Sequence, residues 1–460
     1  MKVMSNKNSE LIDKNPKKAI KELAIPILIL NVIITMYNVV DGIWISGISE
    51  AAIVAVGTLI PVFSILTGIS GGIGSGTTSA IGYYRGAKDT KNTILAMKNA
   101  ILIFFILTVI MTIIFLVVLK PLLVSYDLTE EAVREGLNYG IPLFGCSFTF
   151  IFSAGVFGIY RACGETKKPL YALGIGFILN ALLDPVFIYV FNLGVAGAAI
   201  SSVLTSLLGV IILGYWLFIK KTIYPDYNDY KFKFDTDIIG RILNVGIPAA
   251  IEIFLIVIAA SILIYITQLA GDDQAVAIHT LSYRLYQIAL IPISSVCTAL
   301  VIVVSNSFGA RNLNNIKKSF KHACKLTISI GLVNMLIVLV FAPQISSVYL
   351  FTTGSAGLIP SISLFLRIIV LSLPFLGIGL PSTFVFQGLS KGFYSFIWTF
   401  TREFVLVLFF TYFLGFIMNW GLIGIWIGIF VGKSSSTIFN YLHANYYINN
   451  KLNEELSKKD

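Results

Sequence analysis

Apolar runs follow one another from residue 20 to residue 447, and twelve of them reach the roughly 20 residues that a helix needs to cross a bilayer. They cover 20–46, 52–84, 93–119, 131–160, 168–191, 195–219, 237–270, 275–308, 317–341, 357–389, 392–417 and 421–447. A backbone in hydrocarbon must satisfy its own polar groups, which leaves helices or a closed barrel. Runs of this length are helices, and several are long enough to tilt or extend beyond the bilayer. Only 12% of residues are charged, about half the fraction of a soluble domain. The chain is therefore expected to be an all-α polytopic membrane protein.

The net charge of +10 raises the question of nucleic acid, and its placement excludes it. Lysine and arginine collect in alternate connections: Arg85, Lys88 and Lys91; Arg161, Lys167 and Lys168; Lys220, Lys221 and Lys231; Arg311, Lys317 and Lys318; and Lys391. The intervening connections (ISGISE, FNLGV, LAGDDQ, the 342–356 loop and FIMNWG) carry none, and only Lys120 and Arg134 break the pattern. By the positive-inside rule both termini are expected on the cytoplasmic side of the cell membrane. Residues 1–18 are polar and lysine-rich, without the apolar core of a secretory signal.

Other chemistries find little support. The four cysteines are scattered, the three histidines are isolated, and neither set has metal-ligand spacing. GIFVGKS at 428–434 is one residue short of a phosphate loop and lies inside an apolar run. No nucleophile–base constellation suggests an enzyme. Expected partners are the bilayer and small molecules, with no cofactor, no nucleic acid and a monomer as the default state.

The chain repeats itself. LAIPILILNVI and VGIPAAIEIFL place Pro26 and Pro248 222 residues apart, and Pro121 and Pro343 have the same offset. RGAKD matches FGARN, with Gly86 and Gly309 offset by 223. The expected organisation is a tail (1–18), a first lobe (19–219), a connector (220–236), a second lobe (237–447) and a C-terminal tail (448–460). Six spans per lobe give both lobes the same topological sense, so two six-helix bundles related by a pseudo-two-fold along the membrane normal are expected, with a cavity near the midplane. Gly68, Gly72, Gly76 and Ala80 repeat every four residues on span 2, giving a face that another backbone can approach closely.

Within this apolar chain, YNVVDGIWISG places Asp41 inside span 1, about six residues from its outer end, or roughly 9 Å. A carboxylate at membrane depth costs several kcal/mol and usually marks function. Asp184, in FILNALLDPVFIYV, lies at similar depth, with Asn180 one turn before it. Tyr37, Tyr139, Ser202 and Thr205 supply further oxygens. Two carboxylates in a low-dielectric site resist ionising together, so the pair can carry a proton; the same oxygens can hold a small hard cation such as Na+. A third reading has each aspartate bond a neighbouring helix or snorkel to the outer interface. In the second half Asp41 corresponds to Leu263 and Asp184, at an offset of 226, to Phe410, so coupling chemistry is expected in the first lobe only. Glu252, one turn after Pro248, is a candidate for a substrate or second ion site.

YNVVDGIWISG, the paired RGAKD and FGARN loops, YRACGETKKP and NALLDPVFIYV followed by GVAGAAISS together resemble the multidrug and toxic compound extrusion (MATE) antiporters, archaeal and bacterial members included. The resemblance runs from Pro26 to span 12. It implies alternating-access efflux of organic, mostly cationic and varied compounds against H+ or Na+. It also implies an ion-coupling site at Asp41, Asn180, Asp184 and Ser202, where the family pattern has threonine in place of Ser202, and a bend of helix 1 at Pro26. A lipid-linked oligosaccharide flippase of the same superfamily is the alternative. It would draw on Arg284, Arg402 and Lys433 as a cationic cavity.

Overall fold

The computed structural model describes residues 11–12, 14–347 and 356–457. Residues 1–10 and 13 of the expected N-terminal tail, 348–355 of the 342–356 loop and 458–460 of the C-terminal tail lie outside the described residues. Among the described residues there is no strand. Eleven helices are long and apolar enough to cross a membrane, and a bent pair supplies a twelfth span. In chain order they are α1 (Pro16–Ser46), α2 (Glu50–Gly86), α3 (Thr90–Ser125), α4 (Glu130–Gly145 and Phe148–Ala162), α5 (Lys167–Val190), α6 (Gly194–Ile219), α7 (Thr236–Ala270), α8 (Asp273–Gly309), α9 (Leu313–Ser347), α10 (Ile359–Gly388), α11 (Gly392–Ile417) and α12 (Gly421–Glu455). The protein is an all-α, multi-pass membrane protein.

The expected unbroken span 131–160 is bent by 42° in α4. The break begins four residues after Pro142, at Cys146–Ser147, where Thr112 of α3 reaches the Ser147 hydroxyl at 2.6 Å. A hydropathy profile does not register such a kink, because apolar residues run through the break on both sides. The residues from 448, read from sequence as a tail, continue α12 as helix to Ser457. Glu455 holds them in place: it accepts from the Tyr447 hydroxyl at 2.8 Å and pairs with Lys391 at 3.1 Å.

The chain forms two compact units, one holding Ile25–Ala250 and the other Leu11–Ala24 with the residues from Ile251 onward. The boundaries differ from a division at the connector. The first turns of α1 belong to the second unit, and the first part of α7 belongs to the first. α1 changes unit two residues before Pro26, and α7 changes unit two residues after Pro248.

The duplication is visible turn by turn. Lys88 (φ 57°) and Arg311 (φ 53°) both adopt the left-handed conformation after their helices. Asp89 and Asn312 then cap α3 and α9, each side chain accepting a backbone N–H three residues on at 3.0 Å. Asn192 (φ 54°) and Asn419 (φ 55°) make a second matched pair, followed by Gly194 (φ 54°) and Gly421 (φ 57°). Both α5 and α11 end in a π-helical turn, at Val186–Val190 and Phe413–Ile417. These ends share an offset of 227 residues (192 to 419), whereas the preceding left-handed turns, at Gly164 and Ser390, are 226 apart. The extra residue coincides with a second π turn, Thr401–Leu406, that α5 lacks.

The small-residue face of α2 meets α7 within the first unit. A Cβ on Gly76 would lie 2.2 Å from the Ile242 carbonyl oxygen, and one on Gly72 would lie 2.4 Å from the Ala250 nitrogen. Backbone cannot yield as a side chain tip can. Gly76→Ala is therefore expected to destabilise the protein by about 1–3 kcal/mol through overpacking, read as a lower melting temperature in detergent.

Cysteine chemistry is quiet, with all four thiols free. Cys163, between α4 and α5, is buried, and that burial pushes its thiol up to about 11. The thiolate is the reactive form, so maleimide labelling of Cys163 should stay slow from roughly pH 7 to 9. Half-buried Cys146 should label faster by mass spectrometry, and equal rates would contradict this expectation.

Candidate functional site

In the first unit, α5 presents Asn180 and Asp184 one turn apart on a buried face, both fully enclosed. Asp184 Oδ1 accepts from Asn180 Nδ2 at 2.9 Å and from the Ser201 hydroxyl of α6. Pro185 follows at once, and with no N–H to donate it interrupts the helical ladder where the π turn begins. Asp41 lies on α1, within electrostatic reach of Asp184. Tyr139 of α4 and Tyr37 of α1 belong to the same cluster, with the Tyr37 hydroxyl approaching Ser202 and Thr205.

Hydrogen-bond accounting separates occupied from open groups. Asp41 Oδ1, Asn180 Oδ1, Asp184 Oδ2 and Ser202 Oγ are all shielded from solvent and lack a hydrogen-bond partner. Thr205 is not open: its hydroxyl donates to the Ser201 carbonyl at 2.9 Å, back along its own helix. Ser201, absent from the sequence-based set, is the hydroxyl that bonds Asp184. Both serines of the SS pair at 201–202 are buried, and the sequence carried no signal for which of them meets Asp184, since a shift of one residue moves a helical side chain by about 100°. Buried polar groups without a protein partner are uncommon, and each calls for a physical explanation. Four uncharged or anionic oxygens from α1, α5 and α6 suit a hard cation or a proton. Among the described residues no group of three His, Cys, Asp or Glu side chains forms a conventional metal site.

Glu252 is placed elsewhere, in the second unit. Its two carboxylate oxygens accept from Ser395 at 2.6 Å and Thr399 at 3.3 Å, both on α11. Gln387 Nε2, a donor only, donates to Ser395 Oγ at 3.1 Å, which leaves the Ser395 proton for Glu252. Nearby, Glu403 is clamped between Arg402 Nε at 2.9 Å and Lys433 Nζ at 2.7 Å, all three buried. Arg284 is exposed and stands outside this triad.

The π-turn register corrects the sequence alignment: at an offset of 227, Asp184 corresponds to Thr411 rather than Phe410. Ser201 likewise corresponds to Gly428 at the same offset. A Cβ on Gly428 would lie 2.5 Å from the Thr411 Cα, so the place matching the Asp184–Ser201 pair is filled by helix packing. The acid pair has no twin.

Multi-pass helical architecture, internal duplication and acids buried at membrane depth are the features of a membrane transporter of small molecules. The MatE family model matches residues 26–186 and 248–413, and the chain belongs to that family. Among curated proteins it is similar to a probable multidrug resistance protein of Bacillus subtilis, YoeA, at 26% identity over 71% of this chain and 72% of that one. It is also similar to the Staphylococcus aureus multidrug export protein MepA, at 24% identity over 85% of each. Among solved structures, an outward-facing multidrug resistance MATE transporter of the MOP superfamily superposes with a TM-score of 0.92. That structure is 31% identical and covers 98% of this chain and 99% of that one.

Proposed function

We propose that this transporter exports organic, mainly cationic and structurally varied compounds from the cell in exchange for H+ or Na+, by alternating access in the plasma membrane. The observation that carries the coupling role is the set of four shielded, unpaired oxygens on Asp41, Asn180, Asp184 and Ser202. Tyr37 and Tyr139 line the same cluster, and Thr205 shapes it through α6. Export of varied compounds is supported by the names of the similar multidrug proteins. The alternating basic connections support termini on the cytoplasmic side, and a monomer suffices, because one chain supplies every site residue.

Glu252 is assigned a lesser role in this scheme, since both its oxygens already accept hydrogen bonds. Pro26 is assigned the pivot of α1: it lies at the change of unit and removes a helical hydrogen bond there. Pro26→Ala with undiminished transport would remove that assignment. The flippase alternative draws no support from Arg402 and Lys433, whose charges are spent on Glu403.

The test is uptake of a fluorescent organic cation into liposomes under an imposed pH gradient, then an imposed sodium gradient, with Asp41→Asn alongside. One gradient should drive transport and the variant should lose it. Well-folded protein that moves no member of a broad cation panel under either gradient would overturn the efflux reading.

A further inference from the structure

α1 and α5 are joined at a second place, outward of the acid pair. The Tyr189 hydroxyl donates to the Trp44 carbonyl at 2.8 Å, and the two rings meet edge to face, 6.4 Å between centroids. Tyr189 sits in the π turn that follows Asp184 and Pro185. On an α-helix, residues five apart point about 140° away from each other. The i→i+5 bonding of a π turn brings such residues toward one side, and π turns of this kind recur at functional sites. The Phe191 N–H bonds the Val186 carbonyl at 2.9 Å in that pattern. The turn thus lets one helix present both Asp184 and Tyr189 to α1. On α1, Asp41 and Trp44 are three residues apart and share a face.

Close approach at this join depends on Gly47, whose Cβ, if it had one, would lie 2.4 Å from the Tyr189 hydroxyl oxygen. Around Asp41 the helix is otherwise thinly covered: Val39 is 50% exposed and Ile43 61% exposed. One turn after Asp41, Ile45 is buried in the core of the unit with Trp44 packed beside it, and the Tyr189 bond acts together with that packing on the rotation of α1. The Trp44 indole N–H is also shielded and without a partner, so Trp44 is held through its carbonyl and its ring face rather than its own donor.

We propose that Tyr189 is a positioning residue of the ion site: its bond to the Trp44 carbonyl sets the rotation of α1 that turns Asp41 toward Asp184. The inference rests on the coupling role given above to those acids. The Phe416 that replaces Tyr189 in the second half, at the 227 offset, has no hydroxyl, as expected where there is no acid pair to align.

The test uses full-length protein in liposomes and measures transport against the concentration of the driving cation, H+ or Na+. Tyr189→Phe removes one oxygen and keeps the ring. The bond is partly solvent-exposed, so the concentration for half-maximal drive should rise by roughly two- to tenfold, while the KM for the organic substrate stays unchanged. Gly47→Ala should shift it in the same direction by displacing the hydroxyl, a flexible tip, without unfolding the protein. Wild-type cation dependence in both variants would overturn the proposal, and so would a lower maximal rate with no shift. Asp41→Asn in parallel separates the two ideas. If it keeps wild-type cation dependence, the coupling reading itself fails; if it loses coupling while Tyr189→Phe is unaffected, only the positioning role fails.

Discussion

Asp184→Asn is expected to abolish gradient-driven accumulation while the protein stays folded. The side chain keeps its shape, and its Oδ1 can still accept from Asn180 and Ser201. What disappears is the negative charge beside the unpaired Oδ2, and with it the affinity for a proton or a hard cation. One elementary charge crossing ~150 mV releases about 3.5 kcal/mol, scaled from 2.3 per 100 mV. For an uncharged substrate exchanged against one cation, that sustains a gradient of roughly 300-fold. The variant should let this gradient collapse toward unity, measured as the ratio of internal to external substrate in energised liposomes. Asp41→Asn combined with Asp184→Asn should be no worse than either alone, because paired groups that act as a unit are not additive. Retention of more than about a tenth of the wild-type gradient by Asp184→Asn would remove it from the coupling site.

Glu403→Gln should produce the largest loss of stability. The wild-type carboxylate neutralises two buried cations, Arg402 on its own π turn and Lys433 on α12. Breaking a buried ion network from one side leaves charge without compensation and costs about 3–5 kcal/mol. Thermal unfolding in detergent should reveal it as a clear drop in midpoint. Replacing Arg402, Glu403 and Lys433 together with apolar residues of similar volume should be far milder, since no charge is then stranded. A single variant as stable as wild type would mean that water reaches the triad.

Much of this molecule was legible from its residues, and the failures share a cause. The spans followed from hydropathy, and the duplication followed from prolines and Gly-Ala turns that later proved to share left-handed geometry. What hydropathy could not convey was rotation and phase. The π turn at Thr401–Leu406 adds one residue to α11 without altering its apolar character, which displaced the match of Asp184 from Thr411 to Phe410. The same blindness left out Ser201, which bonds Asp184 beside the expected Ser202. The bend of α4 was hidden because apolar residues flank it on both sides. Contacts made over long separations, such as Glu252 with Ser395 and Thr399, leave no local trace in a single sequence.

The exchange of helix beginnings has a consequence for how such a chain is built. Leu11–Ala24 belongs to the second unit, and the stretch of α7 up to Ala250 belongs to the first. A chain severed in the 220–236 connector would give two polypeptides, each lacking an arm that the other carries. Neither half is then a finished domain by itself. Co-expressed fragments should rescue each other where separate ones fail, which is the behaviour of an arm-swapped dimer whose two copies have been fused into a single gene.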